Sequence, residues 1–309
     1  MPPSRSDATP IDVVEVQLGD RMVSVPKGGL YDRYRMDTDL DEVAKDPRVA
    51  SVDFFRTLPK TQVQSAIGPT RTPNFYYAMS KAQLTYVAPT RALRSRLPRG
   101  LDPLQVAPGL GLFSVVFFRY DVCDIDFYTE AAVAIAVRPA RHGRLGAADL
   151  ASTLANDSTH AYVLSLPVNT DIAQARGHDG YGFPKWVTDI DVDIDERRTA
   201  ATVFNDAGGA DIALDGATPT QQPIPTGTSV STLTSYTELN GGWNATLSQT
   251  NTLASGSRLL PRDVTLELGT GRLSDDVRSL RPVKLLRFDV ATQCQNALHI
   301  PVPVSIPHS

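Results

Sequence analysis

Residues Gly180–Trp186 read GYGFPKW. The run sets Lys185 behind a proline and an aromatic residue, at the point where an apolar, strand-like stretch begins. An amine attacks a ketone and forms an iminium only when it is neutral. Burial disfavours the charged form, so a lysine enclosed by Phe183, Pro184 and Trp186 suits such a nucleophile. The plainer reading is a solvated lysine after a turn, since most lysines are exposed. The chain on either side of the run bears on the choice.

Downstream, Asp189, Asp191, Asp193 and Asp195 interleave with Ile190, Val192 and Ile194, the period-2 pattern of a strand with one wet and one dry face. Spacing by two puts the four carboxylates together on the solvent side. No glycine turn of a calcium loop accompanies them, so no metal is expected there. Further short apolar segments bounded by Pro, Gly or Asp read as strands: 84–88, 112–120, 131–137, 161–168, 200–204, 229–239, 245–250, 263–268 and 283–290. Residues 13–25 predict one or two strands. Asp39 and Glu42 predict a capping box on a short helix that Pro47 ends. Residues 59–74, with Pro59, Gly68, Pro69 and Pro73, read as a surface connection. Helices are predicted at 90–97, at 147–154, and at 170–176 with Thr170 as N-cap and Gly177 past the end.

These signals describe a mainly β (α+β) protein, with residues 1–70 as an N-terminal extension, an arm suited to packing on a neighbouring subunit, and 71–309 as the main domain. The chain has 309 residues, 41% of them hydrophobic, and a formal net charge of -4. Its Lys and Arg are dispersed, which argues against a nucleic-acid partner. Two distant cysteines, Cys123 and Cys294, are too few for a disulfide framework and read as free thiols. No apolar run is long enough to span a membrane, and MPPSRSDATP lacks the core of a secretory signal, which predicts a cytoplasmic protein. No nucleotide-binding, zinc-protease or nucleophile-elbow motif occurs, so no cofactor is expected.

Around the lysine the residues read ARGHDGYGFPKW. His178 and Asp179 form a titratable pair within seven residues of it, the kind of group that must protonate a carbinolamine and deprotonate an enamine. A turn-stabilising role for Asp179 and an exposed His178 stand beside that reading. Upstream, DFYTEAAVAIAV sets Glu130 at the head of an apolar strand. There it either faces a cavity or lies solvated in a turn.

Together these segments resemble the acetoacetate decarboxylase superfamily. GHDGYGFPKW is similar to its Gly-Arg-Glu segment leading to aromatic-Pro-Lys. FYTEAAVAI is similar to its Tyr-Thr-Glu strand entry, and RPVKLLRFDVATQCQNALHIP to its C-terminal Leu-Pro-Val-Lys stretch. TYVAPTRALRSRLPRGL is similar to its strand and short helix. The likeness covers about residues 75–309.

The resemblance implies an antiparallel β cone or barrel around an apolar cavity with a few short helices, and a homo-oligomer. It also implies Lys185 as a Schiff-base lysine and Glu130 as a cavity carboxylate. Asp179 would join Glu130 in moving protons. Phe183, Trp186, Tyr128, His178 and Tyr181 would contact a small-molecule carbonyl substrate. Three departures accompany the likeness. The second lysine of the decarboxylase pair, the neighbouring cation that activates acetoacetate decarboxylase, is Trp186 here. The family's Arg and Glu before the lysine are His178 and Asp179. Its entry arginine and second cavity glutamate fall near Met79 and Val115, where Lys81, Arg119 or Asp121 could supply charge.

An iminium is an electron sink for aldol, dehydration and cyclisation chemistry as well as decarboxylation. The single-lysine pattern therefore leans towards a Schiff-base lyase of aldolase, dehydratase or cyclase type acting on a ketone or 2-oxo acid. An acetoacetate-type decarboxylase and a non-catalytic binding barrel are the alternatives.

Overall fold

A computed structural model describes residues 12–138 and 158–306. The helix expected at 147–154 lies outside the described residues.

Seven strands close into a barrel: β5 (Asn74–Pro89), β7 (Leu110–Cys123), β8 (Tyr128–Ala136), β9 (Ser158–Ser165), β14 (Val230–Leu239), β15 (Gly242–Leu259) and β17 (Lys284–Leu298). They pair in the order β5-β7-β8-β9-β14-β15-β17, and β17 pairs back onto β5. All neighbours are antiparallel except β9 and β14, which run parallel. Short strands β6 (Gln105–Ala107), β13 (Gln222–Pro223) and β18 (Val302–Pro303) border β7 and β15.

A second sheet, β10-β11-β12-β16, is built from β10 (Ile190–Ile194), β11 (Arg198–Phe204), β12 (Ala210–Ala217) and β16 (Val264–Leu268). The alternation after Lys185 is borne out: Ile190 is buried, whereas Asp191 and Asp193 are exposed.

Alternation along β7 and β8, whose register is unbroken, and along the middle of β5 sorts side chains onto two faces. Leu84, Phe113, Val115, Phe117, Ala131, Val133 and Ile135 face outward. They form one core with Ile190, Val203, Ile212 and Leu214 of the second sheet and with Leu273 and Val277. The last two belong to a helix, Arg272–Ser279. The alternate residues line the barrel: Val116, Phe118, Tyr120, Tyr128, Glu130 and Ala132.

The residues before the barrel pack on it. The hairpin β1 (Val13–Leu18) and β2 (Arg21–Pro26) buries Val16, Leu18, Val23 and Val25 against Tyr76, Tyr120, Tyr128 and Ile172. Three short helices follow, α1 (Leu30–Tyr34), α2 (Leu40–Val43) and α3 (Asp53–Arg56). Val43, Phe54 and Phe55 meet Phe75, Tyr77 and Ala297. Asp39 caps α2 by accepting from Asp41 N. Residues 59–74 are more ordered than their glycines and prolines suggest, because they form the hairpin β3 (Thr61–Ser65) and β4 (Gly68–Thr72).

Asp124 joins these elements. Its fully buried carboxylate accepts from Thr38 Oγ1 at 2.7 Å and from Lys60 Nζ, Phe75 N and Tyr77 Oη, each at 2.6 Å. Burial pulls the Lys60 amine down despite that partner. No described helix is long and apolar enough to cross a membrane.

Candidate active site

The lysine segment enters the barrel from α5 (Asp171–Ala175; α4, Thr90–Arg94, precedes it), whose end differs from the sequence expectation. The coil does not stop at Gly177 but widens into a π turn over Arg176–Gly180. Phe183 N then bonds Gly177 O at 3.0 Å and Gly182 N bonds His178 O at 3.0 Å, folding the chain back on itself. Gly182 sits at φ +73°, where a side chain is disfavoured and a Cβ would also meet Glu238 O. Beyond it the chain extends beside residues 166–168, with Leu166 N bonding Pro184 O and Val168 N bonding Trp186 O. Val168 in turn bridges Glu130. This ladder carries Lys185 to Glu130.

Lys185 Nζ donates to Glu130 Oε2 at 2.5 Å, and the two side chains are only 7% and 8% exposed. The other carboxylate oxygen, Oε1, accepts from Tyr120 Oη at 3.1 Å. Glu130 is fixed at the strand head because its neighbour Thr129 is held on both sides. Thr129 N donates to Asn169 Oδ1 and Thr129 Oγ1 donates to Ile190 O. The lysine ammonium lies 5.6 Å from the Tyr128 ring centroid, and Tyr128 Oη donates to Tyr76 Oη at 3.2 Å. Tyr120 and Tyr128 stack at 4.3 Å. Burial first, and then the negative charge of Glu130 and neighbouring groups, pushes the phenols of Tyr76, Tyr120 and Tyr128 well above their ordinary range. They remain protonated donors around the carboxylate.

Gly177 makes the lysine's place available. A Cβ there would lie 2.4 Å from Lys185 Cδ and Cε and 3.0 Å from Nζ. The absence of a side chain at Gly177 lets the aliphatic stem pass.

The sequence candidates divide into two groups. Lys185, Glu130 and Tyr128 come together, and Tyr181 and Phe183 pack with Val116, Ala132 and Leu166 on the barrel lining. The other three face elsewhere. Trp186 follows Lys185 in extended chain and so points the opposite way, its ring 5.1 Å from the Arg272 guanidinium. Lys185, Pro184, Trp186, Ser165 and Arg272 border a cleft of about 480 Å³. Asp179 accepts from Arg21 NH1 at 3.1 Å, and the side chain of His178 is 52% exposed. Asp179 is thus a bracket between the π turn and the β1–β2 hairpin.

Among the alternative charges, Arg119 and Asp121 pair with each other at 2.8 Å. Lys81 pairs in register with Phe118, which pairs with Glu130, so these three share the lining face. The sequence reading missed Tyr120 and Tyr76. Tyr120 was legible in principle, because it shares inward parity with Val116 and Phe118. Tyr76 was not, because a bulge between Tyr76 and Ala78 breaks the alternation.

A family profile described as acetoacetate decarboxylase (ADC) matches residues 57–294. No curated protein matches the sequence. Among solved structures, the chain is similar to the enduracididine biosynthesis enzyme MppR complexed with pyruvate. That match has TM-score 0.55 and 15% identity, covering 76% of this chain and 91% of that one. Acetoacetate decarboxylase from Legionella pneumophila subsp. pneumophila str. Philadelphia 1 matches with TM-score 0.53 and 15% identity, covering 75% and 87%. MppR complexed with the condensation product of pyruvate and imidazole 4-carboxaldehyde matches with TM-score 0.53 and 16% identity, covering 76% and 90%.

Proposed function

We propose that this chain, which belongs to the acetoacetate decarboxylase family, is a cofactor-independent lyase in which Lys185 forms a Schiff base with a ketone or 2-oxo acid. The observation that carries the reading is the buried 2.5 Å contact of Lys185 Nζ with Glu130 Oε2. A carboxylate at that distance can take the ammonium proton and leave a neutral amine. The amine adds to the carbonyl carbon to give a carbinolamine. Glu130, now protonated, returns the proton to the departing hydroxyl, so that water leaves and the iminium forms. The freed carboxylate then accepts a proton from the α-carbon, giving the enamine. Tyr120 holds Glu130 in place throughout.

Aldol, dehydration or cyclisation chemistry on the enamine is the favoured outcome, because the residue after the nucleophile is Trp186 and faces Arg272 rather than the amine. Similarity to MppR structures carrying pyruvate and its condensation product supports that direction. The second reading, a β-keto acid decarboxylase, draws on one observation: Lys81 shares the lining face with Glu130 two strands away, about 10 Å across the sheet.

The test is intact mass after borohydride reduction with pyruvate, acetoacetate and longer 2,4-dioxo acids. An adduct on wild type and none on Lys185→Ala is expected. Carbon dioxide release from acetoacetate would select the decarboxylase. The absence of an adduct with any carbonyl would overturn the Schiff-base reading in favour of a binding barrel.

A further inference from the structure

Besides Lys60, which pairs with Asp124, the described residues include a buried cation outside the mechanism. Arg176 is 4% exposed, yet its NH2 nitrogen has no hydrogen-bond partner. Its NH1 donates to Thr70 Oγ1 of β4 at 3.2 Å. Among the described residues no carboxylate pairs with it. The nearby Asp124 is already occupied by Lys60, Tyr77, Thr38 and Phe75 N. A buried guanidinium with one open terminal nitrogen is costly unless an anion meets it.

Its position relates it to the lysine. Arg176 immediately precedes Gly177, the residue against which the Lys185 stem lies. One residue step and the length of an arginine put the guanidinium on the order of 10 Å from the amine. Tyr181 interacts with the Arg176 guanidinium. Burial pushes the Tyr181 phenol up, the Arg176 charge and a hydrogen bond to it opposing that rise, and the Tyr181 ring packs with Phe183, Val116 and Ala132 on the barrel lining.

We propose that Arg176, with Thr70 and Tyr181, forms an anion subsite that holds a substrate carboxylate several bonds from the ketone attacked by Lys185. The inference rests on the Schiff-base reading for its ketone. It deepens that reading by assigning the substrate class: an oxo acid whose carboxylate is remote from the reacting carbonyl. Arg176 is offered as a binding residue; it moves no proton.

The test compares borohydride trapping of 4-oxopentanoate and 5-oxohexanoate with trapping of their neutral methyl esters. Wild type should favour the acids about tenfold or more, the worth of a charge-assisted bond. In Arg176→Gln that ratio should fall to near unity, and Arg176→Lys should keep part of it. Thermal melting distinguishes a structural arginine. Removing an open buried charge should leave the Arg176→Gln melting temperature equal or higher, whereas loss of a structural anchor would lower it. A second arm needs no covalent chemistry: pentanoate should raise the melting temperature of wild type and not of Arg176→Gln. If no carbonyl is trapped but the pentanoate shift appears and depends on Arg176, the subsite stands and the Schiff-base reading falls. An acid-to-ester ratio near unity in wild type, or no pentanoate shift, would overturn the subsite.

Discussion

Replacing Gly177 by alanine tests the geometry of the site without touching a reacting group. The added Cβ would sit 2.4 Å from Lys185 Cδ and Cε. Ordinary carbon contacts are 3.5–4.0 Å, so the lysine stem must retreat by about 1 Å. The stem is flexible, but its end is held at 2.5 Å from Glu130 inside the protein. A retreat of that size lengthens the contact beyond good hydrogen-bond geometry, and a misplacement of about 1 Å costs roughly 10²-fold in rate. Stability should change less. Crowding costs about 1–3 kcal/mol, and replacing glycine within a helical turn returns about 0.5–1 kcal/mol. The variant should therefore fold, melt within a few degrees of wild type, and form the reduced adduct about a hundredfold more slowly. Wild-type trapping rates in Gly177→Ala would refute the claim that the bare Cα is what admits the lysine.

The two carboxylates first singled out beside the lysine should separate in the same assay. Glu130→Gln is expected to lose about 10²–10⁴-fold in adduct formation. Asp179→Asn, which disturbs a half-exposed pair with Arg21, should lose less than tenfold and under about 1 kcal/mol; equal losses would place Asp179 in the chemistry. Asp124→Asn leaves Lys60 buried beside an uncharged group and should cost about 3–5 kcal/mol in urea unfolding. A loss below about 1 kcal/mol would show that Asp124 does not hold the N-terminal elements to the barrel. Burial lowers the His299 imidazole below its usual 6.5. The unfolded chain then binds that proton more tightly, so this contribution is full above 6.5 and lost as the pH falls below it. The drop in melting temperature between about pH 7.5 and pH 5.5 should be smaller in His299→Gln. An equal drop would show that this histidine is not its source.

Much of the architecture was legible because it rests on short-range periodicity. The period-2 run at 189–195 reappears in β10 with its expected buried face, and the apolar segments at 112–120 and 131–137 fall on β7 and β8; Phe-Pro-Lys drew attention to Lys185, and the family resemblance gave it a role. The Lys185–Glu130 pair was suggested by resemblance and brought together by a ladder through residues 166–168 that no local pattern encodes. Three features required the tertiary structure. The hairpin over β3 and β4 hides behind turn residues because its turn is anchored by a tertiary contact: Ile67, between the two strands, is buried in the core and lies against Gly180 of the π turn. The π turn itself replaces an ordinary helix end because Gly177 must lie against a lysine eight residues further on. The direction of Trp186 follows from extended backbone at a point where the sequence allows either side.

By itself, then, the sequence determined many of the strand segments, the wet and dry faces of β10, and Lys185 as the candidate nucleophile. These depend on neighbours within a few positions. Only the closed barrel decided that Glu130 rather than Asp179 meets Lys185, that Tyr120 and Tyr76 surround the pair, and that Arg176 is enclosed with an open nitrogen. Each of those depends on contacts between residues far apart in the chain, where register and bulges, not local pattern, set what touches what.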